Sequence, residues 1–175
     1  MPKSRPVLIR NLILGACLCV SLQTAHPQAP SSTPLRKDPV MTRHAEGTFE
    51  AKTTPLPPDD STGGAAIGRY ALSKQYHGDL DATSKGEMLG SGDPQNGSAG
   101  YVAIEHVTGT LKGRAGSFAL QHLGVMDQGK LQLTVSVVPG SGSGALAGIS
   151  GTMTIVHAPG KLSYTFDYTL PEAQQ

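Results

Sequence analysis

The chain has 175 residues, 38% of them hydrophobic and 15% charged, with a formal charge of +1, which suffices for one domain and its core but not for several. Its 22 Gly and 13 Pro favour many-turned β structure over a helical bundle. No basic stripe interleaved with aromatic residues occurs, which argues against nucleic acid as a partner.

Residues 1–25 read as a signal peptide. Lys3, Arg5 and Arg10 form a basic start, Leu12 to Leu22 is an apolar run short for a membrane span, and Ala25 is a small residue suited to cleavage. The expectation is an exported protein, periplasmic or secreted. Gln23 stands where a small residue is usual, and Leu14-Gly15-Ala16-Cys17 resembles a lipoprotein box. A lipid on Cys17 or an uncleaved anchor is therefore the alternative, and either would attach the protein to a membrane. The apolar run continues past Cys17 to Leu22, which favours the cleaved form. Both cysteines, Cys17 and Cys19, lie in this segment, so the mature fold has to stand without disulfides. Subtracting the three basic residues from 14 leaves 11 against 13 acidic ones.

Residues 26–43 carry Pro27, Pro30, Pro34 and Pro39 among Ser and Thr, and read as a flexible linker. The domain proper is placed at 44–171, with a short tail at 172–175. Strands are expected at 45–53, 66–77, 79–89, 99–111, 114–126, 130–138, 144–157 (bent near Gly148 and Gly151) and 161–170. The Pro-rich stretch 55–64 reads as an exposed loop. Eight short strands at even spacing, without βα alternation, predict an all-β fold, a closed antiparallel barrel or a sandwich with mostly neighbouring pairs.

Register is the informative part. If Lys112-Gly113 closes a two-residue hairpin, Val107 faces Phe118, Glu105 faces Leu120, Ala103 faces His122 and Tyr101 faces Gly124. If Asp127 to Lys130 closes the next, Met126 faces Leu131, Gly124 faces Leu133, His122 faces Val135 and Leu120 faces Val137. The two choices are independent, yet they put Val107, Phe118, Leu120, Leu131, Leu133, Val135 and Val137 on one side. Gln132, Thr134 and Ser136 fall on the other, as a solvated face requires. With Ala158 to Lys161 as a third turn, Met153 faces Phe166 and Ile155 faces Tyr164, again inward. Phe49 and Ala51, then Tyr70, Leu72 and Tyr76, show the same period.

Glu105 and His122 are stranded among these apolar residues. They are diagonal neighbours with β carbons roughly 7 Å apart in ordinary sheet geometry, close enough to bond directly or through water. A buried carboxylate is costly unless paired, and an imidazolium or a tyrosine hydroxyl can supply the pairing. Two readings follow: a polar handle or proton-transfer pair at the bottom of an apolar pocket, or an internal bridge that fixes strand register. His77, His106 and His157 lack metal-site spacing, and no nucleophile elbow surrounds Ser136 or Ser150. No metal and no cofactor is expected. Glu87, Gln121 and His106 fall on the outer face.

These residues carry a resemblance. The segments HAEGTFE at 44–50, HGDLDATSKGEM at 77–88, GSAGYVAIE at 97–105 and GSFALQH at 116–122 resemble the bacterial family called domain of unknown function 3224. LTVSVVP at 133–139, LAGISGTM at 146–153 and YTFDY at 164–168 extend the likeness over 44–171. It implies an eight-stranded closed barrel similar to allene oxide cyclase and dirigent barrels, with a cavity and no activity to carry over. The leader and proline linker depart from relatives that look like bare cytosolic domains.

The expected partner is a small hydrophobic ligand with one polar end, held by Tyr101, Glu105, Phe118, His122, Met153 and Tyr164 inside the barrel. The alternatives are a non-covalent isomerase or cyclase acting on a lipophilic substrate, and a filled barrel that works through its surface or a homo-oligomer interface.

Overall fold

The computed structural model describes residues 41–60 and 66–171. The expected signal peptide, most of the linker and the tail at 172–175 lie outside the described residues. The strands are β1 (Arg43–Leu56), β2 (Gly68–Gly78), β3 (Leu80–Asp93), β4 (Ser98–Leu111), β5 (Arg114–Asp127), β6 (Lys130–Val137), β7 (Ser143–Gly144), β8 (Ser150–Ala158) and β9 (Lys161–Thr169). Every pairing is antiparallel, in the order β4-β3-β2-β1-β9-β8-β6-β5, and β5 returns to β4. The result is a closed eight-stranded barrel with β7 added against β5. The barrel closes through β1 with β9 and β4 with β5, and β6 meets β8 at the single position Ser136 opposite Thr152.

The turns set this register. Lys112 and Gly113 have φ of 46° and 79°, and Gln128 and Gly129 have 49° and 76°, the left-handed pair that a type I′ hairpin needs. The pairings expected across them are present, from Tyr101 against Gly124 to Val107 against Phe118, and from Leu120 against Val137 to Met126 against Leu131. The third turn likewise sets Met153 against Phe166 and Ile155 against Tyr164. Gln128 is exposed and strained at its positive φ, so Gln128→Asn, which suits that conformation, is expected to raise unfolding free energy by about 0.5–1 kcal/mol in urea titration.

Three expectations are corrected. The single bent strand at 144–157 is two strands, because Gly144 and Gly148 take φ of 59° and 76° and the backbone turns between them. That turn drives Leu146 and Ile149 into one end of the barrel, where each is about 2% exposed or less. Residues 55–56, read as loop, continue β1 and pair with Tyr70 and Arg69. Leu131 keeps its inward phase but is 46% exposed, because it sits at the rim.

The interior is divided along the barrel axis. Towards the end closed by Leu146 and Ile149, Phe118, Leu120, Val107, Phe166 and Tyr168 form a solid apolar core. The rings of Phe118 and Phe166 lie 5.8 Å apart and those of Phe166 and Tyr168 5.2 Å apart, both stacked. Towards the other end, the inward residues Tyr70, Met88, Tyr101, Met126 and Leu131 are spaced around an open mouth.

Candidate functional site

Glu105 lies at the boundary between the packed and the open halves. It points inward from β4 in phase with Ala103 and Val107, and it has no exposed surface. Its neighbours arrive from three other strands. Lys74 and Tyr76 come from β2, Ser84 from β3 and His122 from β5.

One carboxylate oxygen collects three donors. Glu105 Oε1 accepts from Lys74 Nζ at 2.7 Å and from the Tyr76 hydroxyl at 3.0 Å, and His122 Nε2 lies 3.0 Å away. Oε2 accepts from Ser84 Oγ at 2.6 Å. Burial pushes the carboxyl towards neutrality, but the His122 hydrogen bond, the Lys74 charge and the remaining donors outweigh it and hold its pKa down at about 2. Glu105 is therefore an anion at neutral pH. Burial, with the Glu105 charge next, pushes the Tyr76 phenol upward, so Tyr76 stays a neutral donor.

An ionised carboxylate can only accept, so a neutral His122 must carry its proton on Nε2. Its Nδ1 is then a free lone pair. Nδ1 makes no hydrogen bond among the described residues, and no buried side-chain polar atom among them lacks a partner, so Nδ1 meets open space. Lys74 is nearly as enclosed, its side chain 8% exposed. It donates to Glu105 and, at 3.4 Å, to the Tyr76 hydroxyl, and its ammonium stands 5.3 Å from the centre of the Phe49 ring. That leaves one N–H uncommitted.

Two chambers open above this group. The inner one, about 190 Å³, is bounded by Lys74, His122, Phe49, Leu72, Leu133 and Ile155, among others. The outer one, about 600 Å³, reaches the mouth between Tyr70, Met126 and Leu131. Met88, Tyr101 and His157 border both. The Tyr101 ring lies over Gly124 of the facing strand, where a Cβ would fall 2.1 Å from its Cε1. Gly124 thus makes room for the aromatic wall, and burial with the Glu105 charge pushes the Tyr101 phenol upward.

The expected ligand residues separate by depth. Tyr101 and His122 border the chambers, and Glu105 lies directly behind His122 and Lys74. Phe118, Met153 and Tyr164 point inward as expected but sit in the packed half, and they border neither chamber. The Tyr164 hydroxyl is engaged by backbone, accepting from Leu80 N at 2.9 Å and lying 3.3 Å from His77 O. Lys74 and Ser84 were missed by the sequence reading. The signal for Lys74 is its phase with Tyr70, Leu72 and Tyr76, and for Ser84 its phase with Leu80 and Ala82.

Another cavity, about 610 Å³, lies on the outer face between Glu87, Ile104, Gln121 and Thr134. Exposed Val102, Ile104 and Leu123 make it apolar, and Glu87 is already paired with Arg69 at 2.7 Å. His122 and Ala103 also border it, but Lys74 and Glu105 do not. Among the described residues, no group of three or more His, Cys, Asp or Glu could hold a metal ion.

Comparison with known proteins fits this geometry to a family without assigning it an activity. No curated protein matches the chain. A crystal structure of a protein of unknown function from the DUF3224 family of Shewanella oneidensis MR-1 is similar, at 44% sequence identity and a TM-score of 0.69. The match covers 76% of this chain and all of that one. The model of the family described as protein of unknown function (DUF3224) matches residues 45–168, and the chain therefore belongs to the DUF3224 family.

Proposed function

We propose that this protein binds one small, mainly apolar molecule in the open half of its barrel, with the polar end of that molecule on Lys74 and His122. The observation that carries the reading is the place of the charged cluster. A charged cluster at the edge of a cavity keeps a donor and an acceptor within reach of a ligand, which a pair sealed inside a packed core does not. Here the cluster forms the floor of an apolar chamber, with one Lys74 N–H and His122 Nδ1 uncommitted. Apolar walls with a few convergent polar groups are the usual anatomy of a small-molecule site. The chambers also weigh against a filled barrel. An apolar run behind a basic start at 1–25 supports export, so the ligand would be met outside the cytoplasm.

The test is a titration with a medium-chain alkyl ketone and its parent alkane, followed by chemical-shift changes of the Tyr101 and His122 rings. The ketone is expected to bind about tenfold more tightly than the alkane, the worth of roughly one net hydrogen bond. Met88→Trp, which fills the passage shared by the two chambers, should abolish binding of both. Binding that survives Met88→Trp but is lost in Val102→Asp would move the site to the outer face and refute the proposal.

A further inference from the structure

Resting on this binding reading, we infer that the cavity floor is a proton-transfer site, in which His122 Nδ1 is the base and Lys74 Nζ the donor to a carbonyl oxygen of a lipophilic β,γ-unsaturated ketone.

Four observations converge on it. The Nε2 edge of His122 is fixed by Glu105 at 3.0 Å, which sets the tautomer and aims the free Nδ1 lone pair away from the carboxylate. Lys74 bonds to the same Oε1 at 2.7 Å, which anchors its ammonium beside the His122 ring and leaves one N–H uncommitted. Both side chains border the inner chamber, whose other walls are largely apolar. Finally, Glu105 is an anion held by Lys74 as well as by His122, so a proton taken up by the imidazole would place its charge beside a carboxylate.

The step balances without any co-reactant. His122 Nδ1 takes a proton from the carbon between the carbonyl and the double bond. The C–H electron pair spreads through the two π bonds onto oxygen, which accepts a hydrogen bond from Lys74. The imidazolium, stabilised by Glu105, then returns the proton to the γ carbon, giving the conjugated enone. Lys74 remains protonated throughout and nothing is oxidised. Lys74 and His122 touch the substrate and are catalytic residues, whereas Glu105 acts through them and is a positioning residue.

The experiment uses the full chain and a medium-chain β,γ-unsaturated ketone in D₂O, with binding followed by ring chemical shifts and conversion by enone absorbance and deuterium content. The wild type is expected to convert the bound ketone well above the buffer rate, with deuterium at the α and γ carbons. His122→Asn should lower turnover about 100-fold or more while the ketone still binds. Glu105→Gln should lower kcat with KM nearly unchanged, a split that a purely structural role would not produce. Ketone that binds to the wild type but is converted no faster than in buffer overturns this inference and leaves the binding reading intact. Ketone that does not bind overturns both. These wild-type outcomes decide the matter even if the variants fold poorly.

Discussion

Glu105→Leu is expected to lower the unfolding free energy by about 3–5 kcal/mol, the largest effect of any single substitution at the site. The leucine itself packs acceptably. The cost falls on Lys74, whose ammonium would remain among the Phe49 and Tyr76 rings with its side chain only 8% exposed and no anion beside it. Ser84 and Tyr76 would lose their acceptor as well. Adding Lys74→Met to Glu105→Leu should recover most of the loss, because removing both charges also removes their shared desolvation penalty. Urea unfolding of the two single variants and the double variant gives the coupling directly. A Glu105→Leu protein within about 0.5 kcal/mol of wild type would mean that the ion pair is solvated.

Acid should remove the same stabilisation. Glu105 has its pKa lowered from the ordinary 4.5 to about 2 in the fold, so between those values the unfolded chain binds the proton more readily. The contribution is complete above the ordinary value and disappears as pH falls through the folded one. A depression of this size corresponds to about 3 kcal/mol. Glu105→Gln has no such proton to gain. The stability gap between wild type and Glu105→Gln is therefore expected to close steadily from about pH 5 to about pH 2, as measured by thermal or urea unfolding in a pH series. A gap that stays constant across that range would show that Glu105 is not held as an anion.

Much of the barrel could be read from the chain because its hairpins are short and its alternation is strict. A two-residue turn leaves one choice of register, and a slip by one residue would turn Leu131, Leu133, Val135 and Val137 to solvent. The pairing of Glu105 with His122 follows from that register alone. What alternation cannot supply is depth. Phe118, Met153 and Tyr164 share the inward phase with Tyr101, but only Tyr101 lies on the open side. Whether an inward residue meets a cavity depends on the volume contributed by all eight strands, including the 145–149 turn that carries Leu146 into one end.

Lys74 was passed over for a different reason. Lysine in a strand ordinarily faces water, and its phase with Tyr70, Leu72 and Tyr76 contradicts that habit only if a buried anion lies opposite. The anion is Glu105, two strand pairings away across the sheet: β2 pairs with β3 and β3 with β4, and Gly86, which pairs with both Leu72 and Glu105, keeps the path short. A Cβ at Gly86 would fall 2.1 Å from Ile104 O and 2.8 Å from the Glu105 Cβ. Local inspection of either strand does not reveal this closeness.

An apolar chamber ends on a charged floor of Lys74 and His122, with Glu105 directly behind them. A crystal structure with a medium-chain ketone carrying a terminal bromine tests it most directly, through the anomalous signal of the bromine and the position of the carbonyl. Bromine is expected towards the mouth beside Met126 and Leu131, with the carbonyl oxygen within hydrogen-bond distance of Lys74 Nζ. Bromine seated on the outer face beside Val102 and Leu123, with the interior unchanged, would contradict it.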